Sequence, residues 1–260
     1  MLKKKALLCY NDGKGRKEGV LVAISRFLEE NRVSVPLAVL AVVFVILAVV
    51  FAISAMVSAA RLQVGATAGA VAGVAVFGIL SAIFQLLVLY QWSRAINTNV
   101  TNTRDVFLNL KDRLEDPLRG EIGFFANRSE EFIVQTWPFW VYLVFYVIGL
   151  FTGVYAIVFN ILAFIFLAVY LSSVFRSIGK LSDLKDRLYQ YLEDRYGVHL
   201  TGRVFRVPRR SIALFIILSI ITFTIYWLYL LVRLSSEINQ YLSTDETLRR
   251  EVEEALSRVS

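Results

Sequence analysis

The feature that most constrains this chain is the stretch from residue 132 to residue 175, which contains no Asp, Glu, Lys, Arg or His. As one straight helix it would be about 65 Å long, roughly twice the thickness of the hydrocarbon core of a membrane. The stretch must therefore fold back on itself. Gly149 and Gly153, on either side of Thr152, mark the predicted turn.

Two further apolar blocks, 36–60 and 64–90, are separated only by Arg61, Leu62 and Gln63, which predicts a tight helical hairpin. Each block is long enough to cross a bilayer as a helix. The whole chain is 57% hydrophobic and 19% charged, whereas soluble domains are about half apolar and a quarter charged. The sequence therefore predicts an all-α integral membrane protein.

A last apolar region, 211–235, is predicted as one continuous transmembrane helix, which together with the two hairpins makes about five transmembrane helices. The polar segments between and after them show helical spacing of apolar residues, and we interpret them as amphipathic helices on the membrane surface. The predicted order begins with a basic N-terminal segment that contains a short amphipathic helix (1–35), a first hairpin (36–92), an amphipathic helix region (93–131) and a second hairpin (132–175). A basic helix and loop (176–210), the last transmembrane helix (211–235) and an acidic amphipathic helix (236–260) follow.

The distribution of charge sets the expected orientation in the membrane. Residues 1–35 carry eight Lys or Arg against four acids, and residues 176–210 carry nine against four. Because basic segments stay in the cytoplasm, we expect the N-terminus and both large loops on that side. Five crossings would then leave the acidic tail outside. If Trp137 and Trp140 instead mark the interface, the second hairpin is a shallow wedge in one leaflet.

Glycines follow one face of the second apolar block. Gly65, Gly69 and Gly73 lie four residues apart, and small residues at this spacing let two membrane helices approach closely. We predict a helix-packing face here. Asn160, a strongly polar residue inside an apolar block, is the predicted site of a buried polar contact between helices.

Four arginines alternate with apolar residues before the last apolar region. This pattern, GRVFRVPRR, predicts binding to anionic lipid headgroups. A stop signal for the following helix explains the same residues equally well. The arginines are Arg203, Arg206, Arg209 and Arg210.

The motif LKDRL occurs twice, at residues 110–114 and 184–188. Each copy follows an apolar pair and lies in the helix after it. The echo raises the hypothesis that a unit of hairpin plus amphipathic helix is duplicated.

The stretch 209–239 contains a distinctive set of residues: Arg210, Ser211, Leu218 to Thr222, Ile225, Tyr226, Tyr229, Glu237 and Asn239. With these residues it resembles the core of an uncharacterised family of small prokaryotic membrane domains, whose pattern is L-S-I-I-T-x-G-I-Y followed by E-x-N. The chain departs from the pattern at Thr224, where the family usually has glycine. The resemblance implies the plasma membrane of a bacterium or archaeon.

Little in the sequence indicates catalysis. A lone Cys9 and a lone His199 cannot form a structural zinc site, and a nucleophile has no second histidine to serve as its base. We expect no enzymatic activity, no catalytic or metal-binding residues and no cofactor. The net charge of +7 is attributed to the cytoplasmic loops and to attraction toward anionic lipid, rather than to nucleic acid.

Two functions remain open at this stage. The first is a non-enzymatic membrane scaffold or accessory subunit that self-associates or joins a larger membrane complex, with membrane shaping as a specific version. The alternative is an oligomeric pore or channel, because a glycine-faced helix can also line a channel.

Overall fold

The computed structural model describes residues 30–111, 116–196 and 199–259, and these residues are helical with short connections. The amphipathic helix predicted near the N-terminus, and most of the first LKDRL motif, lie outside the described residues. The helices are α1 Val35–Ala60, α2 Val64–Lys111, α3 Leu118–Ser129, α4 Trp137–Phe151, α5 Ala156–Tyr196, α6 Ile212–Ile221 and α7 Ile225–Val259.

The apolar regions form three helical hairpins, α1 with α2, α4 with α5, and α6 with α7. Rings stack across the first two, with centroids 5.5 Å apart for Phe44 and Phe84 and 5.6 Å apart for Phe145 and Phe166. The predicted turn at Gly153 is present, and this glycine has a positive φ of 54°. The first hairpin turns at Arg61 to Gln63, as its sequence predicts.

The prediction of one continuous helix over 211–235 is wrong. The chain reverses at Thr222 to Thr224, so that the rings of Phe215 and Trp227 lie 5.9 Å apart. A straight helix would separate these residues by about 18 Å. The physical reason is a turn that satisfies its own backbone: Thr224 N donates to Ser219 O at 2.8 Å.

The side chain of Thr222 completes this turn. Its Oγ1 donates to Leu218 O at 2.7 Å and accepts from Tyr226 N at 3.0 Å. Phe223 and Thr224 both have positive φ, at 48° and 70°. Because a buried or lipid-exposed backbone must pair its polar groups, this hydrogen bonding allows a reversal without glycine and without water.

The amphipathic helices predicted after each hairpin are continuous with the hairpin arms. Helix α2 runs for 48 residues, α5 for 41 and α7 for 35, and each begins apolar and ends polar. The polar ends of these three helices pack together, with α3 beside them. The molecule therefore has a polar half and an apolar half.

The acidic tail belongs to this polar half. Lys185 of α5 contacts Asp245 of α7 at 2.6 Å, and Arg249 contacts Glu30 at 2.6 Å. The expectation that the tail lies on the opposite side from the N-terminal segment is therefore wrong, because the reversal at Thr222 brings it back.

The three units repeat one pattern of burial. A buried Leu, a buried Ile seven residues later and a buried Val or Leu ten residues after that recur in α2, α5 and α7: Leu89, Ile96 and Val106; Leu171, Ile178 and Leu188; Leu231, Ile238 and Leu248. Each hairpin also follows an extended segment with a buried valine, Val33, Val134 or Val207.

The chain thus contains three copies of a hairpin plus helix, rather than the two suggested by LKDRL. When the isoleucines of the copies are aligned, Leu184 corresponds to Asn102 and not to Leu110. The repeated motif therefore does not mark equivalent positions.

The hairpins differ in length. Four helical stretches are long and apolar enough to cross a membrane, namely Val35–Ala60, Val64–Asn109, Arg119–Phe151 and Gly153–Asp194, whereas Ile212–Ile221 is shorter. The third stretch contains an extended segment at 133–136, so its continuous apolar helix, α4, has 15 residues. At 1.5 Å per residue α1 is about 39 Å long, α4 about 22 Å and α6 about 15 Å.

Thr224→Gly should stabilise the protein by about 1 kcal/mol, because a β-branched residue is strained at a φ of 70° and glycine is not. Thr222→Gly is the matched control, and it should destabilise the protein because it removes two hydrogen bonds. Thermal unfolding in detergent measures both changes. A loss of stability with Thr224→Gly would contradict the described turn.

Candidate functional site

A network of buried polar side chains lies where the polar ends of the three long helices meet. Helix α7 contributes Tyr241, Asp245 and Arg249 from successive turns of one face, and α5 contributes Lys185 and Tyr189 in the same way. Side chains four residues apart lie on one side of a helix. The helical register therefore aims both sets at the same point between the helices.

Asp245 is the centre of the network. Its carboxylate accepts hydrogen bonds from Lys185 Nζ at 2.6 Å, Tyr189 OH at 2.9 Å and Asn99 Nδ2 at 2.8 Å. Asn99 in turn accepts from Lys185 Nζ at 2.7 Å and from Tyr241 OH at 3.0 Å. One carboxylate and one amide thus connect α2, α5 and α7.

A second ion pair joins the network to the segment before the first hairpin. Arg249 Nη2 donates to Glu30 Oε1 at 2.6 Å, and Asn99 Nδ2 donates to the same oxygen at 3.1 Å. With Lys185 and Asp245, the network holds two cations and two anions. This balance is what allows four charges to be buried together, because an unpaired buried charge costs several kcal/mol.

The ionisation of the network follows from these contacts. Burial opposes the charged form of Asp245, but the charges of Lys185 and Arg249 outweigh it and hold the pKa of this carboxyl below its ordinary value. Burial, reinforced by the negative charge of Asp245, raises the pKa of Tyr241 well above its ordinary value. At neutral pH the carboxylate is therefore an acceptor and the phenol a donor.

Two asparagines hold the segments that precede the first two hairpins. Asn239 Nδ2 donates to Val33 O at 2.7 Å, and Val33 N donates to Asn239 Oδ1 at 2.8 Å. Asn97 makes the same pair of bonds with Val134, at 3.1 and 2.7 Å. In both cases the amide pairs with a main chain as a neighbouring β-strand would.

Asn97 and Asn239 directly follow the aligned isoleucines Ile96 and Ile238. Gly179 occupies the equivalent position in α5, and it has no side chain that could pair with the extended segment before α6. A Cβ at Gly179 would lie 3.7 Å from Arg209 Cγ, so this glycine faces the segment before α6. Each long helix therefore meets the segment of the next copy, in a cyclic order.

The predicted helix-packing glycines behave in two ways. Gly73 packs inside the first hairpin, where a Cβ would clash with the ring of Phe51. Gly65 and Gly69 have nothing within 4 Å of a Cβ and face outward. The predicted packing is thus seen within the described residues for Gly73 alone.

The predicted buried contact of Asn160 is not found, because this residue is exposed. Its Oδ1 lies 3.0 Å from the place of a Cβ on Gly149, at the apolar end of the second hairpin. The absence of a side chain on Gly149 gives the amide room between the two arms.

Most of the predicted lipid-binding arginines form ion pairs within the protein. Arg206 pairs with Asp186, Arg209 with Asp183, and Arg210 with Glu237 at 2.6 Å. Arg203 is exposed. The arginine segment therefore holds the lead-in to α6 against α5 and α7, in addition to any contact with lipid.

Sequence reasoning missed the central network. Lys185 and Asp245 are 60 residues apart, and Lys185 and Asn99 are 86 residues apart. A usable signal was the register: Lys185 lies seven residues after Ile178, and Asp245 seven after Ile238, on faces that are otherwise buried.

Residues 210–257 match the profile of a domain of unknown function, DUF4234. The match begins at the lead-in to α6 and includes Glu237, Asn239, Asp245 and Arg249. Searches of curated proteins and of solved structures found no match. The matched segment thus covers α6, the turn after it and nearly all of α7, and α7 contributes Tyr241, Asp245 and Arg249 to the network.

Within the described residues, no group of three or more His, Cys, Asp or Glu side chains is arranged to hold a metal ion. His199 is exposed. Each of the four charged side chains of the network has an oppositely charged partner. Glu30 Oε2 and Arg249 Nη1 are buried without a hydrogen-bond partner in the part of the chain that the structure describes.

Lys185→Met and Asp245→Leu should each destabilise the protein by about 3–5 kcal/mol, because each leaves its partner buried and unpaired. The double variant should lose much less than the sum of the two. Removing Arg104 and Glu130, an ion pair whose side chains are 40% and 45% exposed, is the control and should cost less than about 1 kcal/mol. Unfolding by denaturant in detergent measures all of them. Additive losses would contradict a coupled pair.

Proposed function

We propose that the protein is a non-enzymatic integral membrane scaffold, inserted from one side, that bends the membrane. The observation that carries the proposal is the unequal length of the hairpin arms: α1 has 26 residues, α4 has 15 and α6 has 10, while the polar ends of the three long helices pack together. The basic segments 1–35 and 176–210 favour the cytoplasm for the polar half. We further propose the plasma membrane of a bacterium or archaeon, on the resemblance of the segment 209–239.

The composition of the turns supports unequal depths. The turn of the first hairpin carries Arg61 and Gln63, polar side chains suited to the far aqueous surface. The turns of the other two expose apolar side chains instead, such as Val154 and Phe223. Charged and polar groups are costly inside hydrocarbon, so apolar turns are suited to ending within or at the edge of it.

The lengths of the helices also support unequal depths of the hairpins. Helix α6 is about 15 Å long, half of a hydrocarbon core of about 30 Å. Helix α4, at about 22 Å, begins at Trp137, an exposed aromatic of the kind that marks interfaces. At this length the second hairpin would end beyond the bilayer centre, between a full crossing and the wedge alternative, and the third hairpin would be a shallow wedge.

Unequal hairpins take up unequal area in the two leaflets. Six helices enter the near leaflet, and the two of the third hairpin end near the middle of the bilayer. With a diameter of about 10–12 Å per helix, two missing helices leave a difference of about 200 Å². Added area in one leaflet curves the membrane so that this leaflet lies on the convex side.

The outward-facing Gly65 and Gly69 support self-association as part of the scaffold role, since small residues permit close helix packing in lipid. Joining a larger membrane complex through the same face belongs to the same proposal. The alternative of a pore is kept as an outcome to be tested, by conductance in planar bilayers.

Liposomes of uniform diameter, reconstituted with the full chain, should become tubular or smaller when viewed by electron cryomicroscopy. Phe223→Asp should weaken this effect, because a charge near the bilayer centre costs about 3 kcal/mol and keeps the third hairpin out. Leu62→Asp is a matched control, because Leu62 and Phe223 are both 88% exposed and both have positive φ.

Leu62→Asp should deform liposomes as the unmodified protein does, because its turn lies at the far surface. Liposomes that stay spherical at high protein density would overturn the bending proposal. Equal deformation by Phe223→Asp would overturn the role of the third hairpin.

A further inference from the structure

A groove lined by basic side chains lies between α5 and the segment that leads into α6. Its volume is about 400 Å³. We propose that this basic groove binds the headgroup of an anionic phospholipid. Among the residues that line it are Arg176, Gly179, Lys180, Arg209, Arg210 and Ile212.

The groove exists because of the glycine at the third junction between copies. At the other two junctions an asparagine amide fills the space and pairs with a main chain, at Val33 and at Val134. Gly179 lines the groove and carries no such amide. The repeat therefore leaves one junction open where two are closed.

Charge at the groove remains positive after the internal ion pairs are counted. Arg209 is paired with Asp183, and Arg210 with Glu237. Arg176 and Lys180 lie one helical turn apart and are both exposed. These two cations, with two arginines beside them, suit a phosphate, whose oxygens accept several charge-assisted hydrogen bonds.

The position of the groove at the boundary between the polar and apolar halves favours a lipid as its ligand. On α5, Arg176 is the first charged residue after the apolar run of 132–175. On the other wall, Ile212 begins α6, whose ten residues are free of charge. A phosphate in the groove would therefore lie at the boundary of the apolar half, with acyl chains able to continue along it.

This inference rests on the proposed membrane insertion but not on the proposed bending. It also refines the headgroup prediction for the arginine segment. Arg209 and Arg210 line the groove, together with Arg176 and Lys180, whereas Arg203 and Arg206 do not line it.

Native mass spectrometry of the full-length protein in detergent, titrated with phosphatidylglycerol or phosphatidylcholine, tests the proposal. We expect one phosphatidylglycerol to be retained and phosphatidylcholine to be lost. Arg176→Gln with Lys180→Gln should weaken retention about 30-fold, because each basic residue near an anionic group contributes about fivefold. Arg203→Gln with Arg250→Gln removes the same charge elsewhere and should change retention less than about twofold.

Gly179→Asn separates the shape of the groove from its charge. It should abolish retention at unchanged net charge, because the amide would fill the space as Asn97 and Asn239 do. Thermal unfolding in detergent tests whether this variant folds. If it does not fold, the variants of Arg176 and Lys180 still test the proposed site.

Equal retention of phosphatidylcholine, or an equal loss in the control pair, would overturn the inference. Displacement of phosphatidylglycerol by inorganic phosphate at equal concentration would overturn the lipid assignment in favour of a free anion. Bending of liposomes without lipid selectivity would contradict this site alone.

Discussion

The contact between Lys185 and Asp245 is the interaction on which the architecture depends. It joins the second and third copies of the hairpin unit at their polar ends, and Asn99 brings in the first. Buried ion pairs contribute little net stability, but removing one partner is costly. The network therefore mainly specifies which arrangement of the helices forms. The three long helices fit together only when the turns return every polar end to the same side.

That constraint explains why each long helix is continuous although its two ends differ in composition. Each long helix carries an apolar arm at one end and a contribution to the polar half at the other, so the depth of a hairpin and the geometry of the base are linked through one rigid element. Because the copies share a base but differ in arm length, the apolar half is a tapered body. The proposed bending follows from this taper, and the proposed headgroup site follows from the one junction where the repeat lacks an asparagine.

Local chemistry allowed part of this to be predicted. Arg61 to Gln63 and Gly153 mark turns that residue types reveal. The third turn was missed because Thr224 stands where glycine is expected, and because the side chain of Thr222 satisfies the backbone of the turn. The continuity of α2 was within reach, since residues 79–111 contain neither proline nor glycine.

The polar network was beyond sequence reasoning for a different reason. Lys185 and Asp245 each follow a soluble-looking helical pattern, and a charge on an amphipathic helix ordinarily faces water. Only packing of three distant segments turns these positions inward. The internal repeat was similarly hidden, because its copies share burial at three positions rather than a common motif, and LKDRL pointed to a different register.

The central claim is that every polar segment lies on one side of the membrane. Single cysteines introduced at Thr101, Thr247, Leu62 and Phe223, in a chain whose Cys9 is replaced by serine, would be labelled with a membrane-impermeant maleimide in sealed vesicles of known orientation. The account predicts labelling of positions 101 and 247 from the same side, of position 62 from the other, and of position 223 only after detergent is added. Labelling of positions 247 and 62 from one side, with 101 on the other, would contradict it.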